Sequence, residues 1–230
     1  MIGIIGAMKD EVAQIKAAME SPEVSLIAGM EFYQGVIAGK EVVVVQSGIC
    51  KVNAGICTQI LADRFNVDKV INTGIAGSLK NEINIGDLVL STDAIQHDVD
   101  AASFGYAPGV IPQMKVSCFE ADPALLELAG RCSEKVNPEA SVYCGRVVSG
   151  DQFISSREKK QWLIDTFGGY CTEMEGAAIA QAAYLNQMSF LIVRAISDKA
   201  DDSASMDYPA FEKLAIERSV RLLLAMISEL

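Results

Sequence analysis

Short apolar runs alternate along this chain with helix-like stretches of ten residues or more, and that alternation narrows the fold more than any other feature. Strand-like runs fall at residues 2–5, 24–28, 36–37, 42–45, 70–72, 87–91, 147–149 and 190–196. Helix-like stretches fall at 10–19, 52–65, 123–132, 157–167, 176–185 and about 208–227. Strands separated by helices of this length build an α/β sheet covered on both faces. The turn Ala38-Gly39-Lys40 joins two early runs as a hairpin, so the sheet is expected to be mixed. In the last stretch Phe211, Leu214, Ala215, Ile216, Leu222, Leu223 and Met226 recur at helical spacing, while Glu212, Lys213, Glu217 and Arg218 fill the other face. No repeat, low-complexity segment or linker divides the sequence, which predicts a single domain over 1–230: a three-layer α/β/α arrangement around a central mixed sheet.

Charge removes several classes of partner. With 19 Lys+Arg against 30 Asp+Glu, the net charge of -11 repels nucleic acid and anionic membrane surfaces, and the basic residues are scattered. Met1 leads straight into the apolar run 2–5 with no basic segment before it, giving the expectation of no secretory leader, no membrane span and a cytoplasmic location. The six cysteines (50, 57, 118, 132, 144 and 171) form no CxxC pair, so they are expected to be mostly small buried hydrophobes in a reducing compartment.

Candidate chemistry gathers at probable strand ends. The turn Gly6-Ala7-Met8 with Glu11 lacks the GxGxxG and GxxxxGK[ST] spacings of nucleotide loops. Glu11 is either an acidic residue favouring a helix N-terminus or a carboxylate aimed into the crevice at the carboxyl end of a strand. Glu173-Met174-Glu175 precedes the small-residue helix starting at Gly176 and carries the same two readings. Arg194 interrupts a nearly apolar strand that ends in Ser197-Asp198, and a charge there needs a neighbouring carboxylate. Glu11, Glu175 and Asp198 then share one rim. Such a set suits cleavage of a bond that leaves positive charge on a sugar carbon and negative charge on a departing base. His97-Asp98-Val99-Asp100 offers a single imidazole, so local polarity or support of other residues is expected there rather than a metal, and no GxSxG elbow is present. The stretch 94–117 carries isolated aromatics among Gly and Pro, suited either to a surface excursion or to a lid or subunit contact.

In order and spacing, Gly3-Ile4-Ile5-Gly6-Ala7-Met8 with Glu11, Asn72-Thr73-Gly74-Ile75-Ala76-Gly77, Gly150-Asp151-Gln152-Phe153-Ile154, Glu173-Met174-Glu175 and Arg194-Ala195-Ile196-Ser197-Asp198 resemble the 5'-methylthioadenosine/S-adenosylhomocysteine nucleosidase family of the nucleoside phosphorylase superfamily. The resemblance covers nearly the whole chain. It implies a nucleoside phosphorylase-like fold, a homodimer, no cofactor and no metal. The implied activity is hydrolysis of the N-glycosidic bond of 5'-thioadenosines, with 5'-deoxyadenosine also accepted, in methionine salvage. By the same resemblance Asp198 protonates or hydrogen-bonds adenine N7 and contacts its amino group, with Ser197 in support, Glu11 positions or activates water, and Glu175 accepts from ribose hydroxyls, with Met174 against the sugar and Glu173 beside them. Phe153 stacks on adenine, the backbone of Ile154 meets its polar edge, and Arg194 lies near the acid and ribose. Ala7, Met8, Ile49, Ala76 and Gly77 line the pocket, and Tyr208 flanks the 5' substituent. Phe104, Tyr106 and Pro112 are implied to reach across the dimer interface. Two positions depart from the pattern: Ile75 where Ser is frequent, and Cys50 where Gly is common. Three alternatives remain: a phosphate-dependent nucleoside phosphorylase, a hydrolase of a bulkier 6-substituted nucleoside, and a non-catalytic adenosine-binding module.

Overall fold

The computed structural model describes residues 1–230 apart from the side chain of Met206. In chain order the elements are β1 (Ile2–Gly6), α1 (Lys9–Ala17), β2 (Glu20–Ile27), β3 (Met30–Ile37), β4 (Lys40–Gln46), α2 (Lys51–Phe65), β5 (Lys69–Ser78) and β6 (Leu88–Gln96). They continue with β7 (Cys118–Glu120), α3 (Pro123–Val136), β8 (Val142–Ser149), α4 (Arg157–Phe167), β9 (Cys171–Glu173), α5 (Gly176–Leu185), β10 (Ser189–Asp198) and α6 (Ala204–Glu229). Every strand and helix expected from the sequence is present. The short strands β7 and β9 are additions.

The ten strands form one mixed sheet in the order β10-β6-β8-β9-β5-β1-β4-β3-β2, with β7 on β6. β1 lies parallel to β4 and β5, whereas β3 and β4 form the expected antiparallel hairpin and β2 adds a second one on β3. The sheet does not stay flat. β10 also pairs with β5, so β5, β10, β6, β8 and β9 close into a ring.

Side-chain alternation along the strands sorts the core into two layers. Val43 and Val45 face α2 and α5, where they join Leu61 and Ala180, while Val42 and Val44 face α1 and α6, where they join Ile15 and Leu223. A third cluster, with Leu79, Ile154, Leu163, Phe167 and Ala200, seats α4 beside the closed ring. Ring closure positions the site. The parallel strands β1, β5 and β10 bring their carboxyl ends together, and β9 runs antiparallel over the end of β5 with Thr172 opposite Gly77. Open α/β sheets bind ligands at such ends. β10 carries a bulge there, Ile196 pairing with Ala76 and Asp198 with Gly77, which re-aims Ser197 and Asp198.

Of the cysteines, Cys57, Cys132 and Cys171 are buried, Cys50 and Cys118 are half-buried and Cys144 is exposed, so only three behave as core hydrophobes. Among the described residues no helix is long and apolar enough to cross a membrane.

Candidate active site

A cavity of about 250 Å³ opens at the carboxyl ends of β1, β5 and β10. Ala7, Met8 and Glu11 reach it from the β1–α1 turn, and Ile49 comes from the segment before α2. Ala76 and Gly77 come from β5, and Ser197 and Asp198 from β10. Glu173, Met174 and Glu175 line it between β9 and α5, while Phe153 and Tyr208 stand at its wall.

Glu11 is the third residue of α1 and reaches back to the turn before it. Its Oε2 accepts the N–H of Ala7 at 2.7 Å and of Met8 at 2.9 Å, and Oε1 accepts the Ile75 N–H at 3.2 Å. Both sequence readings therefore hold at once: the carboxylate satisfies helix N-terminal donors and also lines the cavity. Burial raises its pKa, against the opposing pull of Arg194 and the three backbone donors. Gly74 leaves room for the arrangement, since a Cβ there would lie 2.6 Å from Glu11 Oε1 and would collide with Arg194 Nη1.

The two carboxylates of Glu173-Met174-Glu175 part company. Glu173 Oε2 accepts the N–H of Glu175 at 3.0 Å and of Gly176 at 2.8 Å, and it pairs with Arg194. Its Oε1 accepts the Ser149 hydroxyl, whose oxygen accepts the Ala177 N–H at 2.7 Å. Burial opposes its ionisation, yet Arg194, Ser149 and the helix N–H groups hold its pKa below the usual carboxylate range. Glu173 is therefore an ionised anchor for α5 and Arg194, although its side chain borders the cavity. Glu175 has a single short contact, the Cys50 N–H at 3.0 Å on Oε1, with Arg194 3.7 Å from Oε2. Burial and the neighbouring Glu173 charge push Glu175 up to about 7.

Arg194 lies beneath the cavity rather than in its wall, 1% exposed, and Glu173 supplies the carboxylate partner that its strand position demanded. Its Nη2 also donates to Asn72 Oδ1 at 2.6 Å, while Asn72 Nδ2 donates to the Ile5 carbonyl at 2.9 Å. Asp198 Oδ1 accepts the Ala200 N–H at 2.8 Å and Oδ2 accepts the Ser197 hydroxyl at 2.9 Å. Burial raises its pKa against those two donors, with Asp207 and Asp201 adding to the rise.

Phe153 stands edge-on to Tyr208 with ring centroids 6.0 Å apart, and the Tyr208 hydroxyl donates to Glu212 Oε1 at 3.2 Å. Ile154 lines a recess of about 30 Å³ that shares Phe153 and Asp198 with the main cavity. Phe104, Tyr106 and Pro112 do not line this chain's own cavity, and Phe104 is 84% exposed. Thr172 and Ile75 also line the cavity, and Asn72 and Ser149 support it from beneath. Polar residues inside otherwise apolar strands were the available signal for the last two. His97 is buried beside Gly150, and burial lowers its pKa to about 4, so it is neutral. Among the described residues no group of His, Cys, Asp and Glu has the arrangement of a metal site.

Cys50 caps α2 with φ +81° and ψ +162°, a conformation that essentially only glycine adopts without strain. Replacing Cys50 by Gly is expected to stabilise the fold by about 1 kcal/mol in denaturant unfolding, whereas Cys50→Ala, which keeps a Cβ, gains nothing comparable. Equal stability of the two variants would show that the backbone is not strained.

This sheet, with a carboxylate-lined cavity at its carboxyl rim, places the chain in a class: residues 1–228 match the family model described as phosphorylase superfamily. A 5'-methylthioadenosine/S-adenosylhomocysteine nucleosidase of Staphylococcus aureus is 42% identical over 231 residues, covering 100% of both chains. The nucleosidase of the same description from Neisseria meningitidis, solved with methylthio-immucillin-A, superposes with a TM-score of 0.95 at 37% identity, covering 100% of this chain and 99% of that one. Futalosine hydrolase of Helicobacter pylori superposes with a TM-score of 0.94 at 33% identity, covering 100% and 97%. The chain belongs to the 5'-methylthioadenosine/S-adenosylhomocysteine nucleosidase family of the phosphorylase superfamily.

Proposed function

We propose that this protein hydrolyses the N-glycosidic bond of 5'-methylthioadenosine and S-adenosylhomocysteine, releasing adenine and the 5-substituted ribose. The observation that carries the reading is the cavity lining: Glu11, Glu173, Glu175 and Asp198 with no Lys, Arg or His among its residues. A phosphorolytic site needs donors for a phosphate dianion. Here Arg194 is engaged by Asn72 and carboxylates beneath the cavity, and Arg146 is engaged by Asp93 at 2.6 Å. Water is the nucleophile that such a lining favours.

The roles divide by environment. Purine anions leave poorly, so a proton shared with the base lowers the barrier, and Asp198 holds a raised pKa that suits it to carry that proton. Glu11, fixed by three backbone donors, accepts a proton from water as the anomeric carbon turns cationic. Glu175 accepts from the ribose hydroxyls, with Met174 against the ring. Phe153 and the Ile154 backbone flank the base, and Met8, Ile49 and Tyr208 surround the thioalkyl group. Because the adenine and ribose contacts do not involve sulfur, 5'-deoxyadenosine is also a substrate. A homodimer in the cytoplasm is the setting we infer, with Phe104, Tyr106 and Pro112 covering the partner's cavity. The 84% exposure of the Phe104 ring supports burial against a second copy.

Product analysis tests the reaction. Adenine should accumulate from 5'-methylthioadenosine in phosphate-free buffer, together with free 5-methylthioribose. Dependence on added phosphate and a ribose 1-phosphate product would overturn hydrolysis. The similarity to futalosine hydrolase makes futalosine hydrolysis the second reading, and turnover of futalosine with none of the thioadenosines would favour it.

A further inference from the structure

Asp198 ends β10, and the chain does not enter α6 until Ala204. The intervening turn governs Asp198, because the Ala200 N–H that meets Asp198 Oδ1 at 2.8 Å belongs to a buried residue held at φ +50°. That turn has an anchor on another element. Lys160 of α4 donates from Nζ to the Lys199 carbonyl at 2.6 Å and lies 3.6 Å from Asp201 Oδ2.

The anchor sits where packing alone would place an apolar residue. Lys160 shares the buried face of α4 with Leu163 and Phe167, and it is 8% exposed although its neighbours Glu158, Lys159 and Gln161 are not buried. An ammonium withdrawn from water at such a position is costly unless paired, so its carbonyl and carboxylate partners account for its presence. Lys199 ties the same turn to the segment before β6, donating to the Ile83 carbonyl at 2.5 Å. α4 also starts directly after the segment carrying Phe153 and Ile154. One helix therefore connects both walls between which a base would lie.

We propose that Lys160 is a positioning residue: through the Lys199 carbonyl and Asp201 it fixes the turn 199–201 and so holds the Ala200 N–H on Asp198. This inference rests on Asp198 being the acid that serves the base. Lys160 itself touches neither substrate nor reacting atoms. Methionine at 160 keeps the apolar stem and removes the charge, and arginine restores a cation.

The test compares the full-length wild type with Lys160→Met and Lys160→Arg by amide hydrogen exchange and steady-state kinetics. In Lys160→Met, exchange in peptides covering 198–203 should quicken about tenfold while β1 and β5 keep their protection. kcat should fall about tenfold at a nearly unchanged KM, since a displaced acid costs rate rather than ground-state binding. Lys160→Arg should recover most of both. Unchanged exchange in 198–203 overturns the proposal, as does loss of protection spread over the whole chain. If the wild type releases no adenine, the hydrolase reading fails, and the exchange comparison still decides whether Lys160 holds the turn.

Discussion

Asp198→Asn is expected to lower kcat for adenine release by about 10²- to 10⁴-fold, the range that a positioned general acid contributes. The substitution preserves the surroundings. An asparagine oxygen can accept the Ala200 N–H where Oδ1 does at 2.8 Å, and its amide nitrogen can donate to the Ser197 hydroxyl where Oδ2 now accepts at 2.9 Å. Folding and nucleoside binding should therefore survive, because an amide can still donate to a purine nitrogen but cannot deliver a proton. The pH profile separates this account from simple loss of contact. Burial raises the Asp198 pKa, so the acid form is present at low pH and is lost as pH rises through that value. Wild-type kcat/KM should decline on its alkaline side for this reason, and the asparagine variant should lose that limb. Near-normal turnover would remove Asp198 from the mechanism.

Glu11→Gln is expected to reduce kcat by a similar factor, about 10²- to 10⁴-fold, with adenine affinity unchanged in calorimetry. Its structural cost should be larger than that of the Asp198 variant. Glu11 accepts three backbone N–H groups through its two oxygens, and a glutamine must turn its own donor toward at least one of them. An unsatisfied buried donor costs about 1–3 kcal/mol, visible as a lower denaturant midpoint. On the acidic side the sign reverses from that of Asp198. Glu11 works ionised, so wild-type activity should rise as pH climbs through its raised pKa, and the glutamine variant should lack that rise. Full activity in Glu11→Gln would mean that another group activates water.

The sheet was legible where strands were long and apolar. Val42 to Val45 declare β4, and Phe190 with its neighbours declares β10. β7 and β9 contain three residues each, too few to show a period, yet β9 closes the ring and carries Glu173 to the cavity. α6 begins at Ala204 rather than near 208, and Pro209, which lacks an N–H and is commonest in a helix's first turn, lies inside it.

The site was legible by residue type and less so by role. Arg194 announced a carboxylate partner, but only the register of β10 against β5 and the closure by β9 reveal that Asn72 and Glu173 supply its contacts. Sequence reasoning puts Glu175 of Glu173-Met174-Glu175 on the rim, but the reason for preferring it to Glu173 lies in the fold. Helix α5 decides between them, since its N–H groups and Ser149 engage Glu173 and leave Glu175 toward the cavity. Lys160 carried no signal at all: inside an exposed, charged run it reads as solvated until the turn after Asp198 is folded against it.

A crystal structure of the wild type with a non-hydrolysable 5'-thioadenosine analogue measures the convergence of acids most directly. It should show the Asp198 carboxyl about 2.6–3.2 Å from purine N7, with Glu11 holding one water against the anomeric carbon on the face opposite the base. Glu175 should meet the ribose hydroxyls. A nucleoside bound with its anomeric carbon out of Glu11's reach, even through a water, or with its base turned away from Asp198, would contradict the account.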